Sequence, residues 1–319
     1  MYSRIVSTGR YYPAEIRTNA DLEKMVDTSD QWITDRTGIK ERRIMSSDET
    51  VSTMGAMATK NAIELGNVDP ETIDMIVCAT STGPRAFPSV ACDIQEILGL
   101  DGIPAFDINA ACAGFCFALS VADQYIRTGM CRRIAVVGAD ALSQLISPED
   151  RTMIILFGDA AGAMIIEASD APGIYSSHIH ASGKHGGLLY AGRPTWGKEE
   201  TINTSWGGMK GNEVFKVAVT KLSQLVEQTL VANDMSKDEL DWLVPHQANF
   251  RIIKATAKKL GMSMDQVVLT LPKFGNTSAA SVPTALDTAI RDGRIQRGQM
   301  LMLEAFGAGF TWGSLLVKY

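Results

Sequence analysis

The sequence predicts an α/β protein built from two similar halves, residues 1–170 and 171–319. Three observations carry this. Near-continuous apolar runs of strand length alternate with helix-length segments, the pattern of sheets covered by helices on both faces. Three passages recur in the same order about 165 residues apart. The 319 residues are 45% hydrophobic, enough for a large core shared between two domains or one duplicated unit.

The first recurring pair is NVDPETIDMIVCATST (67–82) and NDMSKDELDWLVPHQAN (233–249), each an acidic, helix-capping stretch that runs into a strand. The second is FDINAACAGFCFALSVADQYIRTG (106–129) and LPKFGNTSAASVPTALDTAIRDG (271–293). Each reads as strand, small-residue turn and helix, stopped at Gly129 or Gly293. The third, RIAVVGADAL (133–142) and QMLMLEAFGA (299–308), is a pair of buried-strand runs. Between the halves, 170–212 is rich in Gly, Ser and Thr and reads as loops leading into the second unit.

Composition narrows the function. A formal net charge of −6 argues against a general nucleic-acid binder, so a basic site must be a local patch. Arg4, Gly9 and Arg10 interrupt the N-terminal apolar run, so no export signal is expected. No stretch reaches the about 18 apolar residues of a membrane span, TMIILFGDAAGAMIIEA being split by Asp159, and a cytoplasmic location is expected. Five cysteines without C-x-x-C spacing read as reduced thiols, and His178, His180 and His185 as polar loop or strand residues, so no metal is expected.

Aligned through the helix ends, Cys112 falls opposite Asn276, each at the first turn of its helix, and His246 closes the strand of the preceding unit. All three then lie at the end of the sheets where α/β folds keep their sites. A thiol at a helix N-terminus meets unpaired N–H groups and the positive end of the macrodipole, which favour the thiolate. Ala110, Ala111, Ala113 and Gly114 leave room for a substrate carbonyl beside backbone donors. Taken singly, Cys112 also reads as a core thiol, as Cys78, Cys92, Cys116 and Cys131 do, His246 as a polar strand end and GNTSAAS as a turn. Their coincidence in a repeated framework favours chemistry.

DTSDQWITDRTGIKERR (27–43), DINAACAGF (107–115), VPHQANFRI (244–252), GNTSAASVP (275–283) and EAFGAGFTWGS (304–314) together resemble the thiolase-like condensing enzymes. The nearest likeness is to the β-ketoacyl-acyl-carrier-protein synthase III family, over essentially the whole chain. This resemblance implies a thiolase-like fold of two βαβαβαββ halves in a five-layered αβαβα core, and a homodimer. It implies condensation of an acyl-coenzyme A, acetyl by default, with malonyl-acyl-carrier protein. Cys112 would be the acyl-accepting nucleophile of a ping-pong reaction, His246 and Asn276 the pair that promotes decarboxylation, and the backbone N–H groups of Cys112 and Ala308 an oxyanion hole. No cofactor is implied, since loss of carbon dioxide supplies the carbanion.

Within the superfamily, EAFGAGFTWGS lacks the second cysteine of thiolases, position 276 is Asn where elongating synthases use a second histidine, and no motif matches the glutamate of hydroxymethylglutaryl-coenzyme A synthases. By the same resemblance Trp32 and Arg151 would sandwich the adenine of coenzyme A, and Arg36 and Thr37 would meet its phosphate or pantetheine side. Asn212, Phe215, Ala248 and Asn249 would line the pantetheine tunnel, and Phe87 would enter an acyl pocket across the dimer. Gln247, Ala248, Asn249 and Phe250 lead into a helix on which Arg251, Lys254 and Lys258 recur at helical spacing with Lys259 beside them. This stripe reads as a solvated face or, in an acidic protein, as a dock for an acidic carrier protein, which Lys210 and Lys216 would extend.

Two positions depart from the family pattern. Residues 158–162 read GDAAG in place of GDGAG, and 307–309 read GAG in place of GGG, so Ala308 fits only with a negative φ. Two rival readings are a cysteine hydrolase with Cys, His and Asn, and a non-catalytic carrier-binding relative.

Overall fold

The computed structural model describes residues 1–192 and 206–319. In chain order the elements are β1 (Tyr2–Tyr11), β2 (Glu15–Thr18), α1 (Asn19–Leu22), α2 (Asp30–Thr37), β3 (Glu41–Ile44), α3 (Val51–Gly66), β4 (Met75–Ala79), α4 (Val90–Leu98), β5 (Ala105–Ile108), α5 (Gly114–Arg127), β6 (Arg133–Ala141) and β7 (Asp159–Ser169). There follow β8 (Ile174–Ala181), β9 (Leu189–Tyr190), β10 (Gly208–Met209), α6 (Gly211–Ala232), β11 (Trp242–Pro245), α7 (Phe250–Leu260), α8 (Leu271–Phe274), α9 (Ser281–Arg291), β12 (Met300–Gly307) and β13 (Thr311–Lys318).

One sheet has the order β1-β7-β6-β4-β5 and the other β11-β12-β13-β8. The pairings repeat: β4 runs parallel to β6, β6 antiparallel to β7 and β7 antiparallel to β1, just as β11 runs parallel to β12, β12 antiparallel to β13 and β13 antiparallel to β8. The place of β5 is marked in the second sheet by a parallel bridge from Leu243 to Val267. α3 and α4 cover the outer face of the first sheet, α5 and α9 fill the space between the sheets, and α6, backed by α7, covers the second sheet. This is a thiolase-like αβαβα stack.

The layer order follows from the sequence of each element. β6 is buried along all but its first residue, as a strand covered on both faces must be. α5 is buried nearly all round, with Phe115, Cys116, Leu119 and Ile126 sealed in the central core. Both central helices are tied to β1 through a buried carboxylate. Asp123 accepts from Ser3 Oγ at 2.5 Å, and Asp287 from Thr8 Oγ1 at 2.9 Å and Arg10 Nη1 at 2.6 Å. On the outer face, a Cβ at Gly9 would stand 2.2 Å from Ala58 O, so only glycine lets α3 lie this close on β1.

The region 170–212 is not all loop. Ile174–Ala181 is a full strand at the edge of the second sheet, and its exposed, half-polar sequence hid it from a search for continuous apolar runs. Residues 193–205 of that region lie outside the described residues. Ala160 of GDAAG pairs with Asp140 inside β7, an extended position where alanine fits.

Across the second sheet Pro245, Glu304, Ser314 and His178 stand directly opposite one another on four successive strands and so share a face. α6 covers this face, Ser314 Oγ lying 2.6 Å from Thr229 Oγ1. Among the described residues, neither carboxylate oxygen of Glu304 nor Nε2 of His178 has a hydrogen-bond partner. Burial pushes the Glu304 carboxyl from an ordinary 4.5 up to about 8. Between those values the folded chain keeps a proton that the unfolded chain releases. This contribution to stability is therefore complete below pH 4.5 and lost as the pH rises through 8. Glu304→Gln, neutral throughout, is expected to show a smaller fall in Tm than the wild type between pH 5 and 8. Parallel Tm curves for the two proteins over that range would contradict this.

Candidate active site

Cys112 is placed by a turn that its small neighbours allow. After β5, Asn109 Oδ1 accepts from Ala111 N at 3.3 Å, Ala111 takes φ 47°, and a single 3-10 turn, Ala111–Ala113, leads into α5. Gly307 at the end of β12 packs on this turn. A Cβ there would lie 2.6 Å from Cys112 N and 2.9 Å from Ala113 N, so the approach requires glycine. Thr311 Oγ1 donates to Ala110 O at 2.7 Å from the paired strand.

The second half repeats the turn. Asn276 Oδ1 accepts from Ser278 N at 2.9 Å, Ser278 takes φ 51°, and the 3-10 turn Ser278–Ala280 leads into α9. The equivalent pairs are therefore Asn109 with Asn276, Ala111 with Ser278, and Cys112 with Ala279. Alignment through the helix ends set Cys112 opposite Asn276 because α9 has 11 residues and α5 has 14.

The two turns nevertheless bring the expected residues together. Cys112, His246 and Asn276 all line one cavity of about 1060 Å³. Ser278 Oγ lies 3.4 Å from Cys112 Sγ and donates to it. Asp140, buried at the end of β6, accepts from Ser81 N at 2.8 Å, Thr82 Oγ1 at 2.9 Å and Ala279 N at 3.2 Å, so it fastens the second turn to the first sheet. His246 follows directly on β11, its N–H donating to Glu304 O at 2.7 Å, and its Nδ1 lies 2.5 Å from Ser281 Oγ at the start of α9. Asn276 is held through its backbone, N to Leu156 O at 2.8 Å and O from Gly158 N at 3.0 Å.

The electrostatics correct one expectation. Burial pushes the Cys112 thiol up to about 12, helped by the charge of Asp140 and opposed by the hydrogen bond from Ser278. The residue is 8% exposed and sits in the 3-10 turn ahead of α5, so the helix terminus does not offset the loss of water. Burial thus works against the thiolate that a position at a helix terminus favours. Burial also pushes His246 down to about 3, so its imidazole is neutral.

Of the coenzyme-binding candidates, Trp32, Arg36, Thr37, Asn212, Phe215, Ala248 and Asn249 line the cavity. Trp32, Arg36 and Thr37 are carried by α2, on the excursion between the paired strands β2 and β3. Arg36 and Arg151 both lie over the Trp32 ring, at 4.7 and 5.4 Å from its centroid. Thr37 spends its hydroxyl inside α2, donating to Ile33 O at 2.7 Å. Asn249 caps α7 and donates from Nδ2 to Arg36 O at 3.1 Å, joining the two helices at the cavity mouth.

Ala308 lines the cavity and lies outside the left-handed region, so alanine is accepted in the GAG loop. Phe87 is 79% exposed and does not line this chain's cavity. Gln247 does not fit a carrier-docking role. It is buried, and its amide donates to Pro245 O and Val268 O and accepts from Thr270 N and Leu271 N, all inside the second half. Phe250 is half-buried, while Arg251, Lys254, Lys258 and Lys259 are exposed on α7, and Lys210 and Lys216 are exposed at the start of α6. Ser278, Ser281 and Asp140 were missed as site residues, although both serines stand in the quoted GNTSAAS motif.

Comparison with known proteins places the chain in a family. Residues 106–183 match the family described as 3-oxoacyl-[acyl-carrier-protein (ACP)] synthase III, and residues 230–319 match its C-terminal part. The chain is 69% identical over 319 residues to the β-ketoacyl-[acyl-carrier-protein] synthase III of Pseudoalteromonas atlantica, with 100% of both chains covered. It is 63% identical over 319 residues to that of Aliivibrio fischeri, again over 100% of both. The crystal structure of 3-oxoacyl-[acyl-carrier-protein] synthase III from Aquifex aeolicus superposes with a TM-score of 0.94 at 42% identity, covering 99% of this chain and 100% of that one. The corresponding enzyme from Thermus thermophilus gives 0.93 at 34% identity, covering 99% of each. With relatives this similar along its full length, the chain belongs to the 3-oxoacyl-[acyl-carrier-protein] synthase III family.

Proposed function

We propose that the chain is the initiating condensing enzyme of type II fatty acid biosynthesis. It joins an acyl-coenzyme A, by preference acetyl-coenzyme A, to malonyl-acyl-carrier protein, releasing coenzyme A and carbon dioxide. The observation that carries the mechanism is the meeting of Cys112, His246 and Asn276 on one cavity whose rim bears Trp32 and Arg36. In the first half-reaction Cys112 Sγ attacks the acyl carbonyl, the carbon–sulfur bond to coenzyme A breaks, and the thiol proton leaves with the coenzyme. The oxyanion that forms is met by the backbone N–H groups of Cys112 and Ala308.

In the second half-reaction the malonyl carboxylate departs as carbon dioxide and leaves an enolate. Ser281 engages His246 Nδ1 and Ser278 N engages Asn276 Oδ1, so imidazole Nε2 and amide Nδ2 remain to bond the enolate oxygen. A neutral imidazole, buried as His246 is, suits that role, because it donates a hydrogen bond without adding a buried charge. The enolate carbon attacks the acyl thioester, Cys112 leaves as thiolate, and one proton from solvent restores the thiol. In a hydrolase of the Cys-His-Asn kind the Asn orients the imidazole; here Ser281 holds that position, which favours condensation.

The exposed cations of α7, Arg251, Lys254, Lys258 and Lys259, form with Lys210 and Lys216 the surface that receives the acidic carrier protein, and Ala248, Asn249 and Phe250 border it. Trp32 and Arg151 hold the adenine of coenzyme A. The partner of this chain is a second copy, which the unpaired edge of β5 and the exposed Phe87 would meet, Phe87 entering the partner's acyl pocket. The unit boundary falls between residues 170 and 171, in the turn joining β7 to β8. No helix among the described residues is long and apolar enough to cross a membrane, in keeping with work in the cytoplasm.

Incubation with acetyl-coenzyme A is expected to add one acetyl group, seen by intact-mass spectrometry, and Cys112→Ala to abolish it; a wild type that never acylates with short acyl-coenzyme A would sink the reading. Ser281→Ala, which frees the imidazole, is expected to slow decarboxylation of malonyl-acyl-carrier protein about tenfold or more while acetylation of Cys112 changes less than about threefold. Equal loss in both half-reactions would count against Ser281 as the imidazole's anchor. Reversing charge at Lys254 and Lys258 to Glu should raise KM for malonyl-acyl-carrier protein about tenfold and leave KM for acetyl-coenzyme A unchanged. An unchanged carrier KM would remove α7 from the docking surface.

A further inference from the structure

Arg42, on β3, is the largest fully buried side chain among the described residues, and it makes no ion pair among them. Its guanidinium is held by neutral oxygens alone. Nη1 donates to Arg17 O at 3.1 Å and Asn19 Oδ1 at 2.9 Å, and Nη2 to Ile155 O at 2.6 Å, while Nε has no partner. Burial lowers its pKa to about 10, so it stays charged at neutral pH. A buried cation without a carboxylate is costly, and the cost needs a return elsewhere in the molecule.

Its contacts join the two ends of the cavity. On one side, Asn19 passes the contact on, donating to Asp30 Oδ1 and Ile39 O at 2.8 Å each, the two residues that bracket the helix of Trp32 and Arg36. On the other, Ile155 begins the segment from which Asn276 hangs. Leu156 O accepts from Asn276 N at 2.8 Å, Gly158 N donates to Asn276 O at 3.0 Å, and Phe157 pairs with Asn276 in a parallel bridge. The Arg42 stem fills the space behind this pairing: a Cβ on Gly158 or Gly275 would lie 3.1 or 3.3 Å from Arg42 Cβ.

We infer that Arg42 is a positioning residue for the decarboxylation half-reaction: it clamps the Ile155–Gly158 segment against the coenzyme-binding excursion and so fixes where Asn276 meets the substrate. The inference rests on the proposed role of Asn276 at the enolate oxygen. Acylation of Cys112 does not use Asn276, so the two half-reactions should respond differently to the loss of the clamp. A side chain that only stabilised the fold would lower both in proportion to the folded fraction.

The test uses the full chain with Arg42→Met, Arg42→Lys, Asn276→Ala and the Arg42→Met/Asn276→Ala double variant, each below its measured Tm. Carbon dioxide release from malonyl-acyl-carrier protein and acetylation of Cys112 from acetyl-coenzyme A are followed separately. Arg42→Met is expected to slow decarboxylation about tenfold or more with acetylation within about threefold, and Arg42→Lys, which keeps a cation able to reach Ile155 O, to recover part of the loss. The double variant should decarboxylate no more slowly than Asn276→Ala alone, because the clamp acts through that amide. If Arg42→Met does not fold, Arg42→Lys replaces it in the cycle under the same criterion. Parallel loss of both half-reactions, unchanged decarboxylation, or a further loss in the double variant overturns the inference. A wild type that acylates but releases no carbon dioxide overturns it together with the proposed function, and is told apart from the other outcomes by the wild type itself.

Discussion

The site depends on two backbone turns packing almost in contact. The turn of Cys112 packs on β12 of the second sheet and the turn of Ala279 on β6 of the first, and both approaches are limited by main-chain atoms. A Cβ on Gly138 would stand 2.4 Å from Ala279 O, and one on Gly307 2.6 Å from Cys112 N. Close packing of this kind leaves no slack for a side chain, so the glycines are steric requirements. Asp140 then locks the second turn to the first sheet through Ala279 N. The central helices inherit their placement from these turns, and the buried carboxylates Asp123 and Asp287 complete the attachment of both helices to β1.

A second consequence is electrostatic. Burial drives Cys112 and His246 in the cavity, and Glu304 on the strand beside it, toward their neutral forms: Cys112 and Glu304 are pushed up and His246 is pushed down. Such a pocket disfavours resting charge and holds polar hydrogens in fixed directions. Charge that develops during a reaction then meets donors already in place, with no solvent to reorganise. The cations Lys254, Lys258 and Lys259 lie on the exposed face of α7, outside the buried interior, where they act on approach.

Much of this was legible in the chain. Apolar strand runs and the three recurring passages identified the sheets, and the small residues around Cys112 announced a tight turn. What escaped reading has physical causes. β8 is an edge strand with polar alternation, so it lacked the apolar run by which the central strands were found. The register between Cys112 and Asn276 slipped because spacing was counted to helix ends of unequal length. Gln247 read as a surface residue because side-chain hydrogen bonds to distant main chain, here Val268 and Thr270, leave no periodic trace. Ser281 and Arg42 escaped for the same reason, since their roles lie in contacts 35 and 113 residues away along the chain.

The paired turns also describe how a duplicated protein divides labour. Their backbones match residue for residue, with Asn109 and Asn276 closing the same local loop, and both turns line the cavity, yet they present different residues to it. Ala279 is 1% exposed, with its N–H on Asp140 and its carbonyl against Gly138, so the position equivalent to Cys112 has no access and no room for a reactive sulfur. Symmetry of the main chain is thus broken by enclosure. The second turn instead offers the cavity Asn276 and Ser278, so the two copies are different parts of one centre.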